Sequence, residues 1–191
     1  MEQHDLFSIW VASAIVLMFA IPVEVMRDQV LPFLTLKQLV NLDSATCHKK
    51  SRIELKKRLQ GYCFIGSMST SMGINGLKWL AVREISLENI MFGENTTNEL
   101  LSEYGAVFSK TRRCILGSHS HITNISHQGI VYFADNSPRL EHLNLTDCRN
   151  LTSGYSIAYL TYFCKILHSI DLSRCLWMRD CDMEILSVNC R

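Results

Sequence analysis

The sequence predicts an α/β chain: a short right-handed solenoid, with parallel strands inside and helices outside, preceded by a small all-α module. Two observations carry this. Residues 140–191 write one pattern twice, Leu140-Glu-His-Leu143-Asn-Leu145-Thr-Asp-Cys148 returning as Leu167-His-Ser-Ile170-Asp-Leu172-Ser-Arg-Cys175. Leu151, Leu160 and Cys164 are echoed in the same way by Met178, Leu186 and Cys190. Alternating apolar residues at the start of each unit fit a strand and the second half fits a helix, and a period of this length signals stacked units that bury a core only together. The second observation is that residues 21–60 place apolar side chains at helical spacing between prolines and a charged run, the pattern of short packed helices.

Composition allows both parts. The 191 residues are 48% apolar and 19% charged, enough apolar material for a core and too little charge for a disordered chain. A net charge of +1 gives no electrostatic reason to expect a nucleic-acid partner. The one basic run, from His48 through Arg58, reads as a solvated helix face.

Taken in order, residues 6–23 contain no charge. Eighteen such residues stand at the threshold for a spanning helix, which needs about 20 to cross a hydrocarbon core of ~30 Å. If residues 6–20 did span, the Lys and Arg excess after residue 26 would place the remainder in the cytosol. The other reading is an apolar helix packed on the protein or on a partner. Residues 21–50 then read as three short helical pieces: Pro22 suits a first turn, Pro32 ends what precedes it, and Thr35 caps a helix carrying Leu36, Leu39, Val40 and Leu42. A charged helix covers 51–59. Residues 61–76, rich in Gly and Ser, read as a linker or loop.

From Leu77 onward the outline L-x-x-L-x-L appears again at Leu77, Leu80 and Val82. A helix is expected from Asn95 to Val107, with Thr96 or Thr97 as cap, and a short strand at 113–116. About four strands result, centred on Leu80, Ile115, Asn144 and Asp171. The chain stops at Cys190-Arg191, where a further strand would begin, so either a neighbour covers that end or the array is shorter than in its relatives. The division expected is therefore 1–20, 21–60, 61–76 and 77–191.

Two resemblances accompany these residues. Ile21-Pro22-x-Glu24-Val25, then Leu31, Leu34, Leu39, Leu42 and Ala45-x-Cys47, resembles the F-box, with Lys50 standing where a tryptophan is common. The repeats resemble the cysteine-containing subtype of leucine-rich repeats, so the layout is similar to the F-box and leucine-rich-repeat substrate receptors. That resemblance implies docking on the adaptor subunit of a cullin-type ubiquitin ligase through Ile21, Pro22, Val25, Leu31, Leu34, Leu36 and Leu39, a target protein bound by the repeats, and a cytoplasmic or nuclear location. The alternative is a membrane-anchored repeat scaffold, held through residues 6–20, with no ligase role.

In such an array, residues alternating with the buried leucines point out of the concave strand face. That puts Trp79, Arg83, Arg113, His142, Asn144, Ser169 and Asp171 on one surface, with Ala81, Ile115, Gly117, Thr146 and Ser173 between them. Aromatic and Arg anchors of this kind carry binding energy.

Chemistry finds little support. There is no P-loop, dinucleotide fingerprint or G-x-S-x-G, so neither an enzyme nor a cofactor is expected. Half of the eight cysteines follow the repeat rather than a ligand spacing and read as small core residues, leaving no metal or disulfide expected. His119, His121 and His127 sit in one predicted loop and helix without a matched cysteine or carboxylate. Sequons at Asn95, Asn124, Asn144 and Asn150 keep a lumenal reading open, against which Asn144 lies on the strand face a glycan would block.

Overall fold

A computed structural model of the chain describes residues 19–46, 48–68, 73–92, 96–116, 125–151 and 154–189. Residues 23–33 form a continuous helical run: a turn at Val23–Val25, a π-type turn at Met26–Val30 and a 3₁₀ turn at Leu31–Phe33. Pro32 sits in the first turn of the last piece, where a missing N–H costs no hydrogen bond. Helix α1 (Leu36–Ala45) opens on the expected Thr35, as a capping box: Gln38 N donates to Thr35 Oγ1 at 3.2 Å, and Thr35 N donates to Gln38 Oε1 at 2.7 Å. Helix α2 (Lys49–Leu59) carries the basic run.

The rest alternates strand and helix: β1 (Cys63–Met68), α3 (Gly73–Val82), β2 (Ser86–Met91), α4 (Asn98–Glu103) continued by a 3₁₀ turn at Gly105–Phe108, β3 (Arg113–Ile115), α5 (His127–Asn136), β4 (His142–Asn144), α6 (Tyr155–Phe163), β5 (Ser169–Asp171) and α7 (Asp180–Asn189). The five strands make one parallel sheet in sequence order. Cys63 pairs with Ser86, Asn89 with Arg113, Arg113 with His142 and His142 with Ser169. The units are therefore unequal, those that open the sheet being shorter than those that close it. The fold is thus α/β with a parallel sheet, as the repeats predict.

Two expectations are corrected. Residues 61–76 are not a linker: β1 occupies 63–68 and α3 begins at Gly73. The strand expected around Leu80 is the helix α3, and the strand of that unit is β2, which begins only at Ser86. The outline L-x-x-L-x-L fits either element, because its first two leucines also share a helix face. Burial decides between them: Leu77 and Leu80 are buried whereas Val82 is 53% exposed, a spacing of three rather than two.

One continuous core runs from Met26 and Leu31 through Leu55 and Leu59, along the buried sheet positions Ile90, Cys114 and Leu143, to Leu186. At its centre Phe92, Phe108 and Phe133 pack with ring centroids 5.5 to 5.9 Å apart. Of the four repeat cysteines, Cys148, Cys164 and Cys175 are small core residues as expected, and Cys190 lies outside the described residues. Cys114, Cys148, Cys164 and Cys175 are buried, and two of the thiols donate into the preceding unit, Cys164 to Ser137 O at 3.5 Å and Cys175 to Leu145 O at 3.1 Å. Burial drives the Cys114 thiol pKa well up.

At the β5 edge the same repeat positions lose their cover. Leu143, Leu145 and Leu151 are buried, while their counterparts Ile170, Leu172 and Met178 are only half-buried, since each unit's core positions are sealed by the one stacked upon it. Among the described residues no helix is long and apolar enough to cross a membrane; the expectation for residues 6–18 lies outside them.

Candidate interaction faces

Parallel register and a period of two set the geometry of the open sheet face. In β3 Cys114 is buried while Arg113 and Ile115 are exposed, and β4 repeats the alternation about Leu143. The outward residues fall into two rows. Asn89, Arg113, His142 and Ser169 are direct partners across four strands, and Met91, Ile115, Asn144 and Asp171 form the row beside them. With strands about 4.8 Å apart, each row spans about 14 Å.

Of the seven residues expected on this face, Arg113, His142, Asn144, Ser169 and Asp171 are brought together on it. Two of these have a structural role there. Asn144 Oδ1 accepts from Thr146 N at 2.9 Å and Asp171 Oδ1 accepts from Ser173 N at 2.9 Å, the same turn in successive units, each followed by a residue at positive φ, Asp147 and Arg174. Asn144 Nδ2 also donates to Asp171 Oδ2 at 3.2 Å, joining the two turns. Arg113, Ile115 and Ser169 are the exposed members. Arg112, just before β3, bridges Glu141, just before β4, at 2.8 Å and Glu88 of β2 at 3.6 Å, an ion-pair ladder across three strands.

Trp79 and Arg83 are corrected. Trp79 lies on α3 and Arg83 directly after it, away from the strands, and both turn towards α1. Asp43 of α1, 5% exposed, accepts from Trp79 Nε1 at 3.1 Å and is paired with Arg83, whose guanidinium lies 4.6 Å above the Trp79 ring. The two residues tie α3 to the helical module and lie off the strand face. Ala81 lies on the same helix. Gly117, His119 and His121 fall outside the described residues, and His127 is the first residue of α5, after the cap Ser126.

The helical module gives a second face. Of its seven expected docking residues, Leu31, Leu36 and Leu39 are core side chains of the module itself and are unavailable to an adaptor; Ile21 and Leu34 are half-buried against the same core. Pro22 and Val25 are exposed, joined by Pro32 and by Phe33 at 82% exposure. Sequence reasoning missed Phe33, which belongs to the same apolar run but lies on the other side of its 3₁₀ turn. It also missed Asn89 and Met91, because β2 was not identified as the strand. A third exposed apolar group, Tyr155, Tyr159 and Tyr162, lies on the outer helix α6 with Lys165 Nζ 5.1 Å from the Tyr162 ring.

Among the described residues no three His, Cys, Asp or Glu side chains converge to hold a metal ion. Compared with known proteins, the chain matches no family model and no curated protein sequence.

Proposed function

We propose that this chain is a short leucine-rich-repeat receptor with an F-box-like helical module, bridging a target protein to the adaptor of a cullin-type ubiquitin ligase without chemistry of its own. The observation that carries the reading is the pairing of two exposed, chemically different faces on one core. An apolar set, Pro22, Val25 and Phe33, lies on the helical module, and a mixed set centred on Arg113, Ile115 and His142 lies on the open sheet. Adaptor docking accordingly rests on Pro22, Val25 and Phe33, with Leu34 and Ile21 supporting them, and target binding rests on Arg113, His142 and Ser169.

The test is affinity purification of the full chain with identification of bound proteins. Adaptor and cullin are expected. Pro22→Ala with Phe33→Ala, both at exposed positions, abolishes their recovery and leaves target recovery intact; Arg113→Ala with His142→Ala does the reverse. Unchanged adaptor recovery in the first variant, at unchanged thermal stability, sinks the F-box half of the proposal.

A further inference from the structure

The fold treats two consecutive arginines of the sheet differently. Arg112 is neutralised by Glu141 and Glu88. Arg113 is exposed and has no ion pair or side-chain hydrogen bond among the described residues. Its row brings it no negative charge: Asn89 donates its amide to Ile65 O at 2.6 Å, and His142 and Ser169 complete the row. Asp171 is the one carboxylate in the two outward rows. It stands two strands and two residues away, about 12 Å by strand geometry, and its oxygens accept from Ser173 N and Asn144 Nδ2. At that separation salt screens most of the attraction.

Two residues along the strand from Arg113 is Ile115, 38% exposed, with Met91 of β2 as its direct partner. A cation and an aliphatic pair therefore lie about 6.7 Å apart along one strand. That is the interval between alternate side chains of an extended peptide, whereas a chain laid across the strands would meet steps of about 4.8 Å. One guanidinium also matches one carboxylate, whose two oxygens its fork can take together. A phosphate brings a charge approaching −2 and a nucleic-acid strand brings a series of them, for which the two rows hold no second arginine or lysine.

We propose that the open sheet face binds an extended acidic peptide lying along β3, with a side-chain carboxylate on Arg113 and, two residues away, an aliphatic side chain on Ile115 and Met91. His142, the direct partner of Arg113 on β4, is the second polar side chain within reach of the carboxylate. This rests on the reading of the sheet as the target-binding face and does not depend on an adaptor.

The test is selection of a displayed library of random twelve-residue peptides on the immobilised full chain at 0.1 M salt. Enrichment of a carboxylate two positions from an aliphatic residue is expected, and selection on Arg113→Gln loses that motif at an unchanged thermal midpoint. The most enriched peptide is then measured by fluorescence anisotropy. Arg113→Gln and replacement of the peptide carboxylate by its amide are each expected to weaken binding about tenfold, and together no more than either alone. Ile115→Ser is expected to weaken it about fivefold. A library without enrichment, enrichment of basic or uncharged motifs, or losses that add in the double change overturns the proposal. So does a phosphoserine, put in place of the acidic residue, that binds more than fivefold tighter. Selection on the natural chain decides the matter even if a variant fails to fold. Acidic-motif enrichment without recovery of adaptor and cullin removes the ligase reading and leaves this one standing, whereas their recovery without enrichment removes this one alone.

Discussion

The joint between the helical module and α3 gives the sharpest test of the architecture. Asp43 receives Trp79 Nε1 and Arg83, and Arg83 Nε is buried without a hydrogen-bond partner among the described residues. Asp43→Ala leaves a guanidinium whose side chain is 16% exposed without its carboxylate. Breaking a buried pair from one side costs about 3 to 5 kcal/mol; partial access of Arg83 to water lowers this, and the lost indole bond adds about 1 kcal/mol, for an expected loss of about 2 to 4 kcal/mol. At a urea m-value of about 2 kcal/mol/M, the midpoint falls by about 1 to 2 M. Adding Arg83→Met removes the orphaned charge and keeps contact with the Trp79 ring, so the double variant is expected to recover at least half of the loss. A loss below about 1 kcal/mol in Asp43→Ala, or single effects that simply add, would refute the reasoning that this pair holds the module to α3.

Three further outcomes are expected. A Cβ on Gly154 would fall onto the carboxylate of Asp182, which is buried, so Gly154→Ala destabilises by about 2 kcal/mol or more, whereas Gly61→Ala, at φ +71 in open space, costs about 1 kcal/mol; paired thermal melts rank them. Asn144→Asp sets a second carboxylate against Asp171 Oδ2, raising the folded pKa of the pair above its unfolded value, so its stability deficit of about 1 to 2 kcal/mol at pH 7 shrinks as pH falls through the raised folded pKa and is lost once pH is below the unfolded value of about 4, which urea titrations at pH 3.5 and 7 measure. Among the described cysteines, Cys181 is exposed and Cys114 is buried with a raised pKa, so Cys181→Ser removes one fast-reacting thiol from a native Ellman titration at pH 8, while Cys114→Ser changes only the count after unfolding.

The parts of the fold visible in the sequence were those where one element admits one reading. The echo of Leu140–Cys148 in Leu167–Cys175 located β4 and β5 because Leu143, Leu145, Ile170 and Leu172 alternate strictly, and Thr35 announced α1 because its hydroxyl and Gln38 close a capping box. The first two strands failed for a different reason. The steps from Cys63 to Ser86 and from Asn89 to Arg113 are shorter than the step from His142 to Ser169, so the pattern taken from the later units lands one element early and turns α3 into a strand. The Gly-Ser stretch hid β1, although Tyr62-Cys63-Phe64-Ile65 carries strand-favouring side chains directly before it. A subtler signal was present: Gly61 and Glu84, at matching places in successive units, both take positive φ where a helix gives way to a strand. A glutamate does not advertise that conformation as a glycine does.

The interaction faces were half legible, because a sequence shows which residues alternate with the core and not which of them the fold consumes. Asn144 and Asp171 stand where an outward strand residue should, yet their oxygens close the following turns, so truncating either tests the turn before it tests any partner. Leu31, Leu36 and Leu39 are the same problem in a helical module, where short turns leave too few residues to define an apolar stripe. What remains uncommitted on the sheet is Arg113 with Ile115 beside it and Ser169 beyond, a cation next to an aliphatic surface.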